Sequence, residues 1–243
     1  MYNRLQKAIR NNLNLYELIF DTHQLRYHST NEIWYSTEIA PRLYSNLITI
    51  SEGWVPDDTL QIIDNAYKNQ PRKQWSIKDS FAMLNLEDLG FIKRFTAQWI
   101  YLDSAKFIPQ PQYKQLEYQI IQDEAELTIW KQGWGTYEEP GEEIFLPGLL
   151  NLPTVKFIAG YHQGQLLSGC LVNKTDGVFG ISNFFSPSDD PGYWTDMLQF
   201  IFNEIEKNDV VGYEGDDVLE NLKTIGFQSI GRLIVWENSK PQG

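Results

Sequence analysis

The chain has 243 residues, 42% hydrophobic, 14% aromatic and 21% charged, which is enough apolar side chain to bury a core and too much for a disordered or low-complexity chain. Twenty lysines and arginines against 32 aspartates and glutamates give a net charge of −12, so a nucleic-acid or anionic-membrane partner, which needs clustered basic charge, is not expected. Residues 1–105 carry 11 basic and 12 acidic side chains and residues 106–243 carry 9 and 20; a cleft in the second half would favour cations, and acidic solvated faces would equally serve solubility.

The first residues form no apolar run of signal-peptide length, and no window approaches a membrane span. The single cysteine, Cys170, has no internal partner for a disulfide, and a reducing, cytoplasmic compartment is expected. Along the chain, a strand over 45–49 precedes a helix over 57–69 whose stripe is Leu60, Ile63 and Tyr67. A strand at 75–78, a short helix ending at Gly90 and a strand over 95–102 follow. The Pro-Gln-Pro-Gln stretch at 109–112 reads as an extended linker. Beyond it come an acidic-capped helix over 123–134 and a loop over 140–150 feeding another short helix. Three strands, 154–161, 165–173 and 178–186, are joined by turns at His162–Gly164 and Lys174–Gly177. The chain closes with a helix over 193–207, a strand over 210–214, a helix ending at Gly226 and a strand over 233–236.

Part of this order occurs twice. Trp75–Lys78, Leu86, Leu89, Gly90 and Phe91 correspond to Val211–Glu214, Leu222, Ile225, Gly226 and Phe227 at a constant offset of 136. Strand 45–49 with the helix after it corresponds to 182–186 with the helix that carries Met197, Leu198, Ile201 and Ile205. The predicted organisation is a reduced unit over 1–108, a linker over 109–114 and a fuller unit over 115–243.

With its helix, helix, three antiparallel strands, helix, strand, helix ending in Gly226-Phe227 and final strand, the second half resembles the GNAT family, the GCN5-related N-acetyltransferases. The resemblance covers about 115–238, and 15–105 is similar to a reduced copy. It implies an α/β (α+β) fold, a mixed sheet flanked by helices, with two such units in tandem as an internal pseudo-dimer or a homodimer. It also implies transfer of an acetyl group from acetyl-CoA to an amine, either a small molecule or a peptide N-terminus or lysine.

In that family the strand before the third helix and the loop after it hold coenzyme A, the loop by backbone N–H groups at the helix start. The matching residues are Asn183, Phe184, Phe185 and Ser186 on the strand, then Gly192, Tyr193 and Trp194. Asp189 stands where the family has a basic or amide residue, Pro191 has no N–H to offer, and Trp194 stands where a small residue is usual. The same residues also suit an ordinary helix start, with Asp189 or Asp190 as cap and Pro191 in the first turn.

The position that holds the family's proton-donating tyrosine is Leu222. Tyr213 and Glu214 are the remaining candidates for proton transfer, Glu214 as a general base if burial raises its pKa. As an alternative, Tyr213 is a strand aromatic and Glu214 a helix cap. Trp130, Trp134 and Tyr137 suit a wall for a cationic amine, or else they are helix packing. His23, His28 and His162 are isolated, and no metal site, hydrolase elbow or phosphate loop is present in the sequence. The second function that these residues allow is a catalytically lapsed module that binds a small ligand or a protein through the same cleft.

Overall fold

The computed structural model describes residues 3–52, 61, 62, 65, 75–109, 115–135 and 142–238. It opens with α1 (Arg4–Thr22), capped by the Asn3 side chain, which accepts from the Gln6 N–H at 2.8 Å. Ile9, Leu13, Tyr16 and Phe20 recur at helical spacing and are buried. Of the helix expected over 57–69, residues 61, 62 and 65 are helical, and Leu60, Ile63 and Tyr67 lie outside the described residues, as do 110–114 of the linker.

Among the described residues eleven strands form one sheet. They are β1 (His28–Ser29), β2 (Ile33–Tyr35), β3 (Leu47–Thr49), β4 (Ser76–Asp79), β5 (Phe91–Leu102), β6 (Glu117–Ile120), β7 (Val155–His162), β8 (Gln165–Thr175), β9 (Val178–Phe185), β10 (Asp209–Glu214) and β11 (Gln228–Asn238). Their order is β1-β2-β3-β4-β11-β5-β10-β9-β8-β7-β6. The last strand of each half is therefore seated in the other half. β11 pairs with β4, β5 pairs with β10, and β5 and β11 pair with each other in the middle. Ala97 is opposite Leu233, with Thr96 opposite Ile234 and Gln98 opposite Arg232 on either side.

Further helices among the described residues are α2 (Glu124–Gly133), α3 (Pro191–Glu204) and α4 (Asp216–Lys223), with a short 3₁₀ helix at Pro147–Asn151. Strand alternation divides the core between the two faces. Ile100, Val172, Phe179, Ile181 and Val210 pack with Met197, Leu198 and Ile201 of α3 and with Leu219 and Leu222 of α4. On the other face Trp99, Val178, Val211 and Leu233 meet α1, and Leu171, Phe157 and Val155 meet Trp130 of α2. Each such apolar side chain contributes about 1.5–3 kcal/mol of transfer free energy. Cys170 lies in the first of these cores, where burial pushes its thiol pKa far up and keeps it inert.

α1 is fixed on the sheet by a reciprocal pair. Asn11 Nδ2 donates to the Asn173 carbonyl at 3.1 Å, and Asn173 Nδ2 donates to the Asn11 carbonyl at 3.0 Å. Gly180 makes this approach possible, since a Cβ there would lie 1.8 Å from Asn11 Oδ1. The β7–β8 and β8–β9 hairpins turn through Gln163-Gly164 and Asp176-Gly177, all four at positive φ, the geometry that matches the strands' twist. Before Gly90, which is left-handed at φ +80, the short helix is a single 3₁₀ turn, Glu87–Leu89.

Candidate functional site

β9 and β10 are parallel neighbours only over Val178–Gly180 and Asp209–Val211. Beyond that no ladder joins Ile181–Phe185 to Gly212–Glu214, and the two strands open a mouth toward the start of α3. Gly212 keeps the base of the mouth narrow, because a Cβ there would lie 2.9 Å from the Ile181 carbonyl oxygen.

A bulge re-aims the lip of β9. Leu171 and Gly169 of β8 face Ser182 and Phe185 of β9, so β9 carries one extra residue in this stretch, and Asn183 takes up the difference at φ +54. Asparagine tolerates that conformation better than most residues. Phe184 consequently joins the core on the α3 side with Ile181, while Phe185 turns to the other face and packs edge-on against Trp130 at 5.5 Å. Ser182 Oγ, just before the bulge, is buried and has no hydrogen-bond partner among the described residues.

Trp194 is buried, stacked on Phe184 with ring centroids 4.1 Å apart and set edge-on to Phe227 at 5.8 Å. Its indole is part of the wall between β9 and α3. At the start of α3 the Asp190 side chain accepts from the Gly192 N–H at 2.8 Å, and the Asp190 carbonyl accepts from the Tyr193 N–H at 3.1 Å. Pro191 occupies the first helical position. The preceding loop is held by Ser186 Oγ donating to the Ser188 carbonyl at 2.7 Å and by Asn221 Nδ2 donating to the Asp189 carbonyl at 3.1 Å. A carboxylate of the chain itself thus takes the anion position at this helix end.

Tyr213 and Glu214 reach the mouth on opposite sides of β10. Tyr213 belongs to the α1 side, edge-on to Trp99 at 5.6 Å, and alternation puts Glu214 on the side of Val210. Burial alone pushes the Glu214 carboxyl up to about 7. On the α1 side stands a residue that the sequence does not single out, the fully buried Lys78 of β4. Its Nζ donates to Asn12 Oδ1 at 2.9 Å and lies 4.4 Å from the ring centre of Tyr213 and 4.7 Å from that of Tyr16. Burial pulls the Lys78 ammonium down and the two tyrosines push it up, with a net rise, so it stays charged. The Lys78 charge pulls the Tyr213 phenol down while burial and Tyr16 push it up, again with a net rise.

Leu222 is fully buried in the core of the α3 side and offers no proton. Trp130 is fully buried too, its Nε1 donating to the Ile158 carbonyl at 2.9 Å amid Phe145, Phe157 and Phe185. It supports the lip of the mouth from behind. Trp134 is half-buried against Phe145 and Trp130, and Tyr137 lies outside the described residues. His23 Nε2 is 3.0 Å from the Ile144 carbonyl oxygen. Among the described residues no group of His, Cys, Asp and Glu is placed to hold a metal ion.

This architecture is the GNAT fold. A GCN5-related N-acetyltransferase from Kribbella flavida aligns over 97% of this chain and 96% of its own, with a TM-score of 0.67 and 13% identity. A functionally unknown conserved protein from Staphylococcus epidermidis aligns over 91% of this chain and 97% of its own, with a TM-score of 0.66 and 11% identity. A GNAT-family protein from Novosphingobium aromaticivorans aligns over 97% of both chains, with a TM-score of 0.55 and 8% identity. Identities this low make the likeness one of fold. No protein-family model and no curated protein sequence matches the chain. No helix among the described residues is long and apolar enough to cross a membrane.

Proposed function

We propose that the chain transfers an acetyl group from acetyl-CoA to an amine at the mouth between β9 and β10. The parting of these strands after Gly180 and Val211 carries the reading. It leaves two facing strand edges, with the orphaned Ser182 Oγ beside them, and an extended amide-bearing arm fits between such edges by taking strand-like hydrogen bonds. Acetyl-CoA would supply the thioester carbon that the amine attacks.

The chain's own residues would manage the protons. Glu214, titrating near neutrality, is suited to take a proton from an ammonium nitrogen at working pH. With Leu222 in the place of a phenol, Tyr213 Oη would be the donor for the departing sulfur, and the Lys78 charge is outweighed by burial with the Tyr16 phenol, which keeps it protonated. Holding the amine against the carbonyl supplies much of the remaining acceleration.

One observation favours a second reading, a module that binds a ligand or a protein through the mouth without turnover. The Gly192 N–H, which a diphosphate would use, is already bonded to Asp190. Calorimetric titration with acetyl-CoA and with CoA, at low and at physiological salt, separates the two. Saturable micromolar binding, followed by amine-dependent thiol release that falls in Glu214→Gln, is the result expected of a transferase. Binding without release supports the second reading, and no heat at millimolar ligand removes acetyl transfer.

A further inference from the structure

The sheet contains a second parallel pair. β3 and β4 are paired at Leu47–Ile77 and Ile48–Lys78, and the chain then leaves β3 through Ile50 and Ser51 as it leaves β9 through Ser186. Crevices beyond the carboxyl ends of parallel strands are common ligand sites. Here a cleft of about 500 Å³ opens beside the carboxyl end of β3, between it and α1, within the usual range for small-molecule sites. Its walls are a stripe of α1 from Gln6 through Arg10, Leu13 and Asn14 to Glu17, the turn at Ser29–Asn31, and Ser51 with Thr175.

The side chains around this cleft answer one charge only in part. Arg10 donates from Nε to Asp176 Oδ2 at 3.0 Å, and Asn14 Oδ1 accepts from the Thr175 hydroxyl at 2.6 Å. Glu17 is half-buried and makes no hydrogen bond or ion pair among the described residues. The groups facing it from α1 are Arg10 and Asp21, and from the loop before β1 comes Tyr27. Burial first, then the Asp21 charge, push its carboxyl up, and Arg10 offsets only part of this. A cation in the cleft would relieve both penalties. Leu13 and Ile50, each nearly fully buried, form an apolar floor beside the carboxylate.

We propose that this cleft is a binding site for a small aliphatic primary amine, its ammonium on the Glu17 carboxylate and the hydroxyl and amide walls, its carbon chain on Leu13 and Ile50. The site is distinct from the mouth between β9 and β10. Thr175 is paired with Val178 at the start of β9, and the mouth lies at the far end of that strand, about 20 Å away.

Butylamine and putrescine, with butanol as the neutral control, test the site by calorimetry and by ¹⁵N NMR of the full chain. Saturable binding of the amines but not of butanol is expected, with amide shifts at Ser29, Thr30, Asn31 and Ser51. Glu17→Gln should weaken it about tenfold or more, because a charge-assisted hydrogen bond is lost. The proposal is overturned by absence of saturation, by equal affinity in a folded Glu17→Gln variant, or by shifts confined to Gly212–Glu214. The shifts on the unaltered chain decide the matter even if the variant does not fold.

Discussion

A carboxyl held at about 7 in the folded chain against an ordinary value of 4.5 binds its proton more tightly when folded than when unfolded. Glu214 therefore contributes nothing to the pH dependence of stability below about pH 4.5, lowers stability as pH rises from there to 7, and exerts its full penalty above 7. Each pH unit is worth 1.36 kcal/mol, so the penalty reaches up to about 3 kcal/mol. Glu214→Gln removes the charge at nearly constant shape. At pH 8 the variant should be more stable than the natural chain by up to that amount, while at pH 4 the two should differ little. For a chain of this length the gain corresponds to a rise of about 6–12 °C in Tm. Burial also raises Asp79 and Glu17, but both remain in either protein and cancel in the comparison. The assay is thermal unfolding of both proteins from pH 4 to pH 8. A Tm difference that is the same at both ends would refute the argument that burial holds Glu214 protonated.

The lip of the mouth offers a second test: Asn183→Val should cost about 1–2 kcal/mol because a β-branched residue resists φ +54, whereas Asn183→Gly should cost little, as read from urea midpoints. Trp130→Ala should lose about 3–5 kcal/mol in the same measurement, the cost of emptying an aromatic core site. Asp190→Ala removes the α3 cap and should lower stability by about 1 kcal/mol while tightening the binding of inorganic pyrophosphate in a calorimetric titration. Unchanged pyrophosphate affinity in a folded Asp190→Ala protein would show that the carboxylate does not compete for that helix end.

What was legible in the sequence was carried by local chemistry. Asp123 caps α2 by accepting from the Glu126 N–H, Gln163-Gly164 and Asp176-Gly177 close hairpins, and Gly226 ends the turn after α4 at φ +103; each is set by residues a few positions apart. The start of α3 was equally readable as a capped helix, since Asp190 and Pro191 sit side by side. α1 is a different case, because asparagines interrupt its apolar stripe, and two of them, Asn11 and Asn12, are spent on Asn173 and Lys78 in the fold. The placement of β5 between β10 and β11 is a long-range pairing without a local signal. The raised carboxyl of Glu214 has none either, because it depends on what the rest of the chain packs around it.

Lys78 shows how that pairing bears on the mouth. It lies on β4 and Tyr213 on β10, with β11 and β5 between them, a spacing of about 14 Å across the sheet. The two long side chains meet above the intervening strands, where Ala97 of β5 presents only a methyl group to the same core. An ammonium buried without a carboxylate costs several kcal/mol. Here Asn12 Oδ1 and the faces of Tyr16 and Tyr213 offset part of that cost. The pairing of β5 with β11 holds β4 and β10 at this spacing in one sheet. It therefore does more than extend the sheet, since it brings the Lys78 ammonium of the first half beside the Tyr213 phenol of the second.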